Sequence, residues 1–332
     1  MTVGGRAEPG LAAQVRLLRE ATAVVPAGRQ AVLVAGPDAQ EYLQGQCSQD
    51  VAALAAGTSA DALLLSPQGK LQALVRVTRL AADRYAVDVE DGFGDVVVER
   101  LLRFRLRVKV DVEVLPWRCL ALRGPGWAGA VDPGQGVDGA VVVAPVAWNG
   151  VVGVDLLGPD PALAAGVAAV DADAWQAVRV EAGIPAMGAE LDERTIPAEA
   201  DLVERTVSFT KGCYTGQELV ARLDARGSRV ARRLRGVVVD AGPGPQHGAG
   251  LPQPGDVVRV AGREVGRLTS VAWSPALERT VALAYVHRAV EPPAAAVVVP
   301  AASLGGAEGA GDAAGTGAWP AEVRAVPLVG GR

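Results

Sequence analysis

The sequence predicts an α+β protein with more than one folding unit, on three observations. The chain has 332 residues, 50% apolar and 21% charged, which is enough apolar mass for two or three cores. Up to about residue 230, short strand-like runs alternate with stretches of helical spacing. From residue 236 onward the pattern changes to short strands alone, broken by Gly and Pro, which reads as a small β-barrel or jelly roll. Aromatic residues make up only 4%, so Ala, Val and Leu must fill the cores through many small contacts.

Taken in order, residues 1–20, with Arg16, Arg19 and Glu20, read as a mobile or loosely docked arm. Residues 31–35 form an apolar run that stops at Gly36 and Pro37, a strand entering a turn. Asp38 and Glu41 mark the start of a helix that carries Tyr42 and Leu43 and ends near Cys47. Runs at 62–65 and 73–77 flank Ser66, Pro67, Gln68, Gly69 and Lys70, where Pro then Gly predicts a hairpin turn. A strand over 85–89 ends at Asp91 and Gly92. Residues 95–104 have helical spacing with Val98, Leu101 and Leu102 inward, and 108–114 alternates as a strand. Arg103, Arg105, Arg107 and Lys109 are the densest basic run. Asp111 and Glu113 continue their alternation with opposite sign, so the run reads as one solvated strand face rather than a nucleic-acid signature.

Residues 124–139, rich in Gly, Pro and Asp, read as a loop, and 141–143 and 151–157 as strands. Asp173 opens a helix with Ala174, Ala177, Val178 and Glu181 on one stripe, closed by Gly183 and Pro185. Glu181 therefore ends an apolar face near the negative end of the helix dipole and needs donors if buried; the plain alternative is that it leans into solvent or pairs with a distant arginine. After Arg226, a second basic cluster is formed by Arg229, Arg232, Arg233 and Arg235. Beyond it, strands are expected over 236–239, 256–260, 264–270, 281–286, 295–299 and 323–329, with a mobile Gly/Ala-rich stretch at 301–317.

Composition excludes several classes. No apolar run approaches the roughly 20 residues of a membrane span, and Arg6, Arg16, Arg19 and Glu20 interrupt any signal-peptide pattern. A cytoplasmic protein without a membrane partner is expected. Cys47, Cys119 and Cys213 are odd in number and far apart, which fits reduced thiols. With His247 and His287 the only histidines, no preformed zinc or iron–sulfur site within one chain is expected; a cluster held transiently between chains stays open. The formal net charge of −5 supplies no global field for nucleic acid, and no direct nucleic-acid partner is expected.

The densest chemistry lies at Lys211, Gly212, Cys213, Tyr214, Thr215, Gly216, Gln217 and Glu218. Thr215 and Glu218 have capping-box spacing, and Leu219, Val220 and Leu223 carry a helix on to Gly227. Cys213 then precedes a helix N-terminus, where the dipole and Lys211 would lower its pKa toward the thiolate. An inert small apolar cysteine is the alternative, and it is the favoured reading for Cys47 and Cys119. Only Lys70, Lys109 and Lys211 among 32 basic residues are lysines, which favours a compact, adaptable ammonium at position 211.

These residues give the chain a resemblance to the YgfZ family, folate-binding relatives of the glycine-cleavage aminomethyltransferase that act in iron–sulfur protein maturation and tRNA modification. Lys211 to Glu218 fits the family signature K-G-C-[FY]-x-G-Q-E at every position. Gly36, Pro37 and Asp38 with the run from Tyr42 to Gln46 are similar to its first helix, Arg179 to Gly183 to the helix before its G-I-P turn, and Gly266 to Ser270 to its barrel segment. The resemblance implies three domains around a central tetrahydrofolate cavity: a discontinuous core of 22–56 and 119–230, a small α+β unit of 57–118, and a C-terminal barrel of 231–332. It also implies that Glu181 holds the pterin, whose adjacent donors suit a carboxylate, and that Cys213 and Lys211 are the functional pair. Tyr214, Gln217, Glu218 and Arg222 would line or brace the pocket. One departure stands out: Lys70, Leu71, Gln72 and Ala73 follow Gly69 where the aminomethyltransferases carry an acid/base Asp. The implied function is a folate-binding accessory factor with iron–sulfur client or assembly proteins as partners. A tetrahydrofolate-dependent aminomethyltransferase or other one-carbon transferase is the alternative, and a scaffold with a vestigial pocket is a third class.

Overall fold

The computed structural model describes residues 10–131, 139–163, 166–241, 251–304 and 317–330. The chain opens with α1 (Leu11–Glu20), β1 (Ala23–Val25), β2 (Arg29–Ala35) and α2 (Ala39–Gln46), followed by β3 (Ser59–Leu65), β4 (Leu71–Ala81), β5 (Arg84–Glu90), α3 (Gly94–Arg103) and β6 (Asp111–Leu115). Five of these strands form an antiparallel sheet in the order β3-β4-β5-β2-β6. The predicted turn at 66–70 joins β3 to β4. Alternation along β4 sends Ala73, Val75 and Val77 into a core with Leu43, Leu63 and Leu101, while Leu74 and Arg76 take the opposite face. Although β2 falls within the segment 22–56, it pairs with β5 and β6, in the sheet of residues 59–115.

A second sheet, of order β10-β1-β7-β9-β8, is built from β1, β7 (Arg118–Arg123), the hairpin β8 (Val142–Trp148) and β9 (Val151–Gly158), and the short β10 (Ala168–Ala169). The one-turn α4 (Trp127–Ala130) follows β7, and α5 (Ala172–Ala182) ends as expected with Gly183 as a left-handed cap. Residues 11–20 are not a loose arm. Val15 and Leu18 pack with Ala174, Ala177 and Val178, and Gln14 exchanges two 2.6 Å hydrogen bonds with Asp171. Apolar spacing on α1 with a complementary stripe on α5 outweighs its position near the chain start.

After the short helices α6 (Val203–Thr206) and α7 (Gln217–Asp224), the chain forms β11 (Arg232–Val239), β12 (Val257–Val260), β13 (Arg263–Ser274), β14 (Arg279–His287), β15 (Ala294–Val299) and β16 (Trp319–Arg324). These six close into a barrel in the order β11-β14-β13-β12-β15-β16. Its interior is filled by Val237, Val239, Leu268, Ala282, Ala284, Val298 and Val323, the small aliphatic filling the composition requires. Most of the expected mobile stretch and the centre of the expected loop, residues 305–316 and 132–138, lie outside the described residues.

Two elements differ from expectation. On α3 the buried face is Val97, Arg100 and Leu101, while Leu102 is 43% exposed. Arg100 is drawn inward because its guanidinium donates to Leu65 O and Gln46 Oε1, which rotates Leu102 outward. The strand expected over 108–114 begins only at Asp111, so Arg105, Arg107 and Lys109 lie on a loop and not along one strand face.

Candidate functional site

The main cavity, of about 580 Å³, lies where the two sheets, α5 and the barrel meet. That volume is within the range of small-molecule sites. The first sheet contributes Arg29, Asp61, Arg76 and Glu90; the second contributes Arg123, Trp148 and Asp155; α5 gives Trp175 and Arg179; and barrel strand β13 gives Thr269 and Ser270. Two of the six tryptophans in the chain therefore line one hollow, alongside a set of guanidinium groups.

A buried ion network forms one wall. Arg76 donates to both oxygens of Asp88 (2.9 and 3.1 Å) and through Nη1 to Asp155 at 2.9 Å, and Arg123 Nη1 reaches the other oxygen of Asp155 at 2.7 Å. Arg29 also pairs with Asp88. Arg76 thereby ties the first sheet to the second. Arg123 carries a further signal: its Nε is buried and lacks a hydrogen-bond partner among the described residues, while its guanidinium carbon lies 5.4 Å from the centre of the Trp175 ring. A buried donor without an acceptor is costly unless something supplies one.

Opposite, Glu190 accepts from Arg179 (2.9 Å), Thr269 and Ser270 (2.6 Å each), fixing α5 to β13. Glu90 is held differently. Its Oε2 accepts the Met187 N–H at 2.7 Å, and the structure gives Oε1 no partner among the described residues. Burial pushes its carboxyl above the usual range, opposed by that N–H and by Arg29 and Arg179. Arg205, paired with Asp61, stacks 4.4 Å from the Trp148 ring and braces it.

Glu181, expected at the ligand, is elsewhere. It is 2% exposed, yet it pairs with Arg19 of α1 and accepts from Ser274 Oγ at 2.5 Å. The two side chains meet different stretches of β13: Arg179 donates to Ser270, which lines the cavity, whereas Glu181 lies against Ser274 at the end of the strand, away from it. Pairing with a distant arginine is the alternative that holds.

The signature loop is also apart from the cavity, and none of Lys211, Cys213, Tyr214, Gln217, Glu218 or Arg222 lines it. The helix begins at Gln217 with Gly216 as its N-cap, and no side chain makes a capping bond; the Thr215 N–H goes instead to Gly45 O at 3.1 Å. All three ammonium protons of Lys211 are engaged, by Gln44 O (2.5 Å), Cys47 O (2.6 Å) and Gln49 O (3.0 Å). Lys211 thus caps the C-terminal end of α2 and has no proton left for the Cys213 sulfur. Burial lowers its pKa, with Cys47 and Asp50 opposing. Tyr214 is half-buried with Lys211 Nζ 5.1 Å from its ring, and its N–H donates to Gln217 Oε1, while Glu218 and Arg222 lie on the exposed side of α7. Cys213 is exposed. Cys47 is fully buried and its thiol is pushed up to about 12 by burial, as is that of Cys119.

Alkylation separates these thiols. Iodoacetamide added to the native protein at mildly alkaline pH is expected to modify Cys213 while sparing Cys47 and Cys119 until denaturation, read by mass spectrometry. In Lys211→Met three carbonyls lose their donor, at a cost of about 1–3 kcal/mol, while the Cys213 alkylation rate stays within about twofold because Lys211 does not touch the sulfur. A rate drop beyond tenfold would mean that the ammonium activates the thiol after all.

Sequence reasoning missed the cavity residues because each looked ordinary where it stood: Arg76 as a polar position in the run at 73–77, Asp155 within the run at 151–157, and Trp148 between two expected strands. The scarcity of aromatics was the available signal, since each tryptophan in so aromatic-poor a chain needs a reason.

An antiparallel sheet, a mixed sheet, a closed six-stranded barrel and a cavity at their junction define a protein of the aminomethyltransferase fold class. Residues 232–305 match the glycine cleavage T-protein C-terminal barrel domain. The crystal structure of the glycine cleavage system aminomethyltransferase T from Bartonella henselae superposes with a TM-score of 0.75, covering 96% of this chain and 90% of that one at 19% identity. The tRNA-modifying protein YgfZ of Vibrio vulnificus is 29% identical over 64% of this chain and 69% of its own length. An aminomethyltransferase of Rubrobacter xylanophilus is 28% identical over 76% of this chain and 72% of its own. Over most of its length the chain is thus similar both to YgfZ proteins and to aminomethyltransferases. Among the described residues no helix is long and apolar enough to cross a membrane.

Proposed function

We propose that the cavity binds tetrahydrofolate or a one-carbon derivative of it, and that the protein is a cytoplasmic accessory factor for assembly or repair of iron–sulfur proteins, tRNA-modifying radical enzymes among them. The observation that carries the reading is the pairing, in one hollow, of two tryptophan rings with a half-buried carboxyl at Glu90 and with the Nε of Arg123, unpartnered among the described residues. A folate needs these groups. Its flat pterin and benzoyl rings suit Trp148 and Trp175, its adjacent amino and ring N–H donors suit the Glu90 carboxyl, and its acidic tail suits guanidinium groups. Glu90 takes the role that the sequence resemblance gives to Glu181. Bound there, tetrahydrofolate supplies an amine able to carry a one-carbon unit. Cys213, outside the cavity, would act on the client protein at the surface.

Calorimetric titration of tetrahydrofolate tests the binding. Micromolar affinity is expected, with Glu90→Gln and Trp148→Ala each weakening it at least about tenfold, or 1.4 kcal/mol, and Cys213→Ser unchanged. No detectable heat at high micromolar ligand would end the folate reading. The role of Cys213 is tested separately, by iron–sulfur enzyme activity in cells lacking the native protein. Cys213→Ser is expected to fail to rescue, and full rescue would remove that cysteine from the mechanism.

The length of chain shared with the Rubrobacter xylanophilus aminomethyltransferase favours a second reading, folate-dependent aminomethyl transfer. Gln72, on the strand where those enzymes carry their Asp, weighs against it, since an amide cannot exchange a proton as a carboxyl does. Formation of methylene-tetrahydrofolate from an aminomethyl donor, abolished in Glu90→Gln, would establish transfer.

A further inference from the structure

The loop between α3 and β6 has features that the cavity does not use. Arg103, Arg105, Arg107 and Lys109 place four cations within seven positions of a chain whose formal net charge is −5. All four are exposed, and none forms an ion pair with a carboxylate among the described residues. Between them stands Leu106, 76% exposed, and Leu102, 43% exposed, precedes them at the end of α3. The loop is held in this shape. Leu106 N–H donates to Phe104 O, Arg105 Nη1 to Val110 O and Lys109 N–H to Asp38 Oδ2, and Arg100 lies 4.0 Å from the Phe104 ring. Arg107 sits at φ 59, a left-handed conformation that a non-glycine residue adopts at a cost of about 1–2 kcal/mol.

We propose that residues 102–109 form a docking surface for an acidic protein segment that carries an apolar anchor side chain. Unpaired cations call for a polyanionic partner. The exposed leucine at the centre selects among polyanions, because phosphate contacts reward hydrogen-bond donors and cations and give an apolar side chain nothing, whereas a protein segment brings carboxylates for the rim and an apolar side chain for the centre. The helix α2 lies between this surface and the signature loop: Lys109 N–H donates to Asp38 Oδ2 at its start, and the Thr215 N–H donates to Gly45 O near its end. An acidic segment docked here brings its protein to within about the length of α2 of the loop that bears the exposed Cys213.

The test is fluorescence anisotropy on the full chain with three probes: a peptide of glutamates flanking a central pair of leucines, an all-glutamate peptide of equal length, and bulk tRNA. The leucine-bearing peptide is expected to bind at low salt at least about tenfold more tightly than the all-glutamate peptide. Leu106→Asp is expected to weaken it at least about tenfold, and combined Arg103→Glu, Arg105→Glu and Arg107→Glu at least about a hundredfold with a flattened salt dependence. Thermal melts confirm folding, which these exposed side chains should leave intact. Absence of peptide binding, binding indifferent to Leu106→Asp, or tighter binding of tRNA that the charge reversals abolish would each overturn the proposal, the last assigning the surface to nucleic acid.

Discussion

Asp155→Ala is expected to destabilise the protein by about 3–5 kcal/mol, the range for breaking a buried ion pair by removing one partner. Asp155 is 1% exposed and receives Arg76 and Arg123, so its loss leaves Arg123 without its carboxylate and Arg29 and Arg76 sharing that of Asp88. The effect reaches beyond local repulsion because Arg76 on β4 and Asp155 on β9 join the two sheets along the cavity wall. Urea denaturation followed by tryptophan fluorescence measures it, and a loss below about 1 kcal/mol would mean that solvent already screens the network. The same site sets an acid dependence. Burial alone would raise the Asp155 pKa, but Arg123, Arg76 and Arg29 outweigh it and hold the carboxyl well below the usual range. Because the folded value is depressed, the stabilisation is fully present above the unfolded value of about 3.9 and is lost as pH falls through the folded value. Wild-type stability should therefore drop more steeply below about pH 4 than that of Asp155→Ala, which lacks the titrating group.

Gly216→Val is expected to cost about 3 kcal/mol or more and to release the signature loop. Gly216 has φ 84, and a Cβ there would lie 2.5 Å from Ser66 O and 2.7 Å from the Leu65 Cβ. The left-handed backbone costs a non-glycine residue about 1–2 kcal/mol, and forcing extra atoms into a packed contact adds about 1–3. Gly69, at the hairpin turn, meets the same loop from the other side, since a Cβ on it would lie 2.6 Å from the Leu219 Cβ and 3.0 Å from Gly216 O. These two glycines let the hairpin turn and the signature loop touch backbone to backbone. Limited proteolysis between Lys211 and Arg222, combined with a chemical melt, reads the outcome; unchanged protection and stability would show that the loop does not depend on this contact.

The contact also shows how much of the site the sequence revealed. The glycines of the signature are legible as positions where a side chain is excluded, but what excludes it, the turn at 66–69, lies some 150 residues away. Lys211 shows the same gap. Its nearness in sequence to Cys213 suggests an activated thiol, while its ammonium turns to the end of α2 because three carbonyls there need donors. Glu181 and Arg179 share a short motif and part company along β13. Among the fold elements, the hairpin at 66–70, the cap at Gly183 and the barrel strands were readable since local turn chemistry and period-two alternation fix them. The docking of α1 was not, because it depends on a stripe of α5 that lies more than 150 residues further along.

By itself, then, the sequence determined the α+β class, the closing β unit, the signature and the resemblance that the signature carries, all of which rest on local periodicity or on contiguous residues. Only the tertiary structure decided which residues face the cavity, because Arg29, Glu90, Arg123, Trp148, Arg179 and Ser270 come from separate segments that share no local pattern. A buried charge is stable only beside its partner, and which partner it meets is set by how the sheets and the barrel pack.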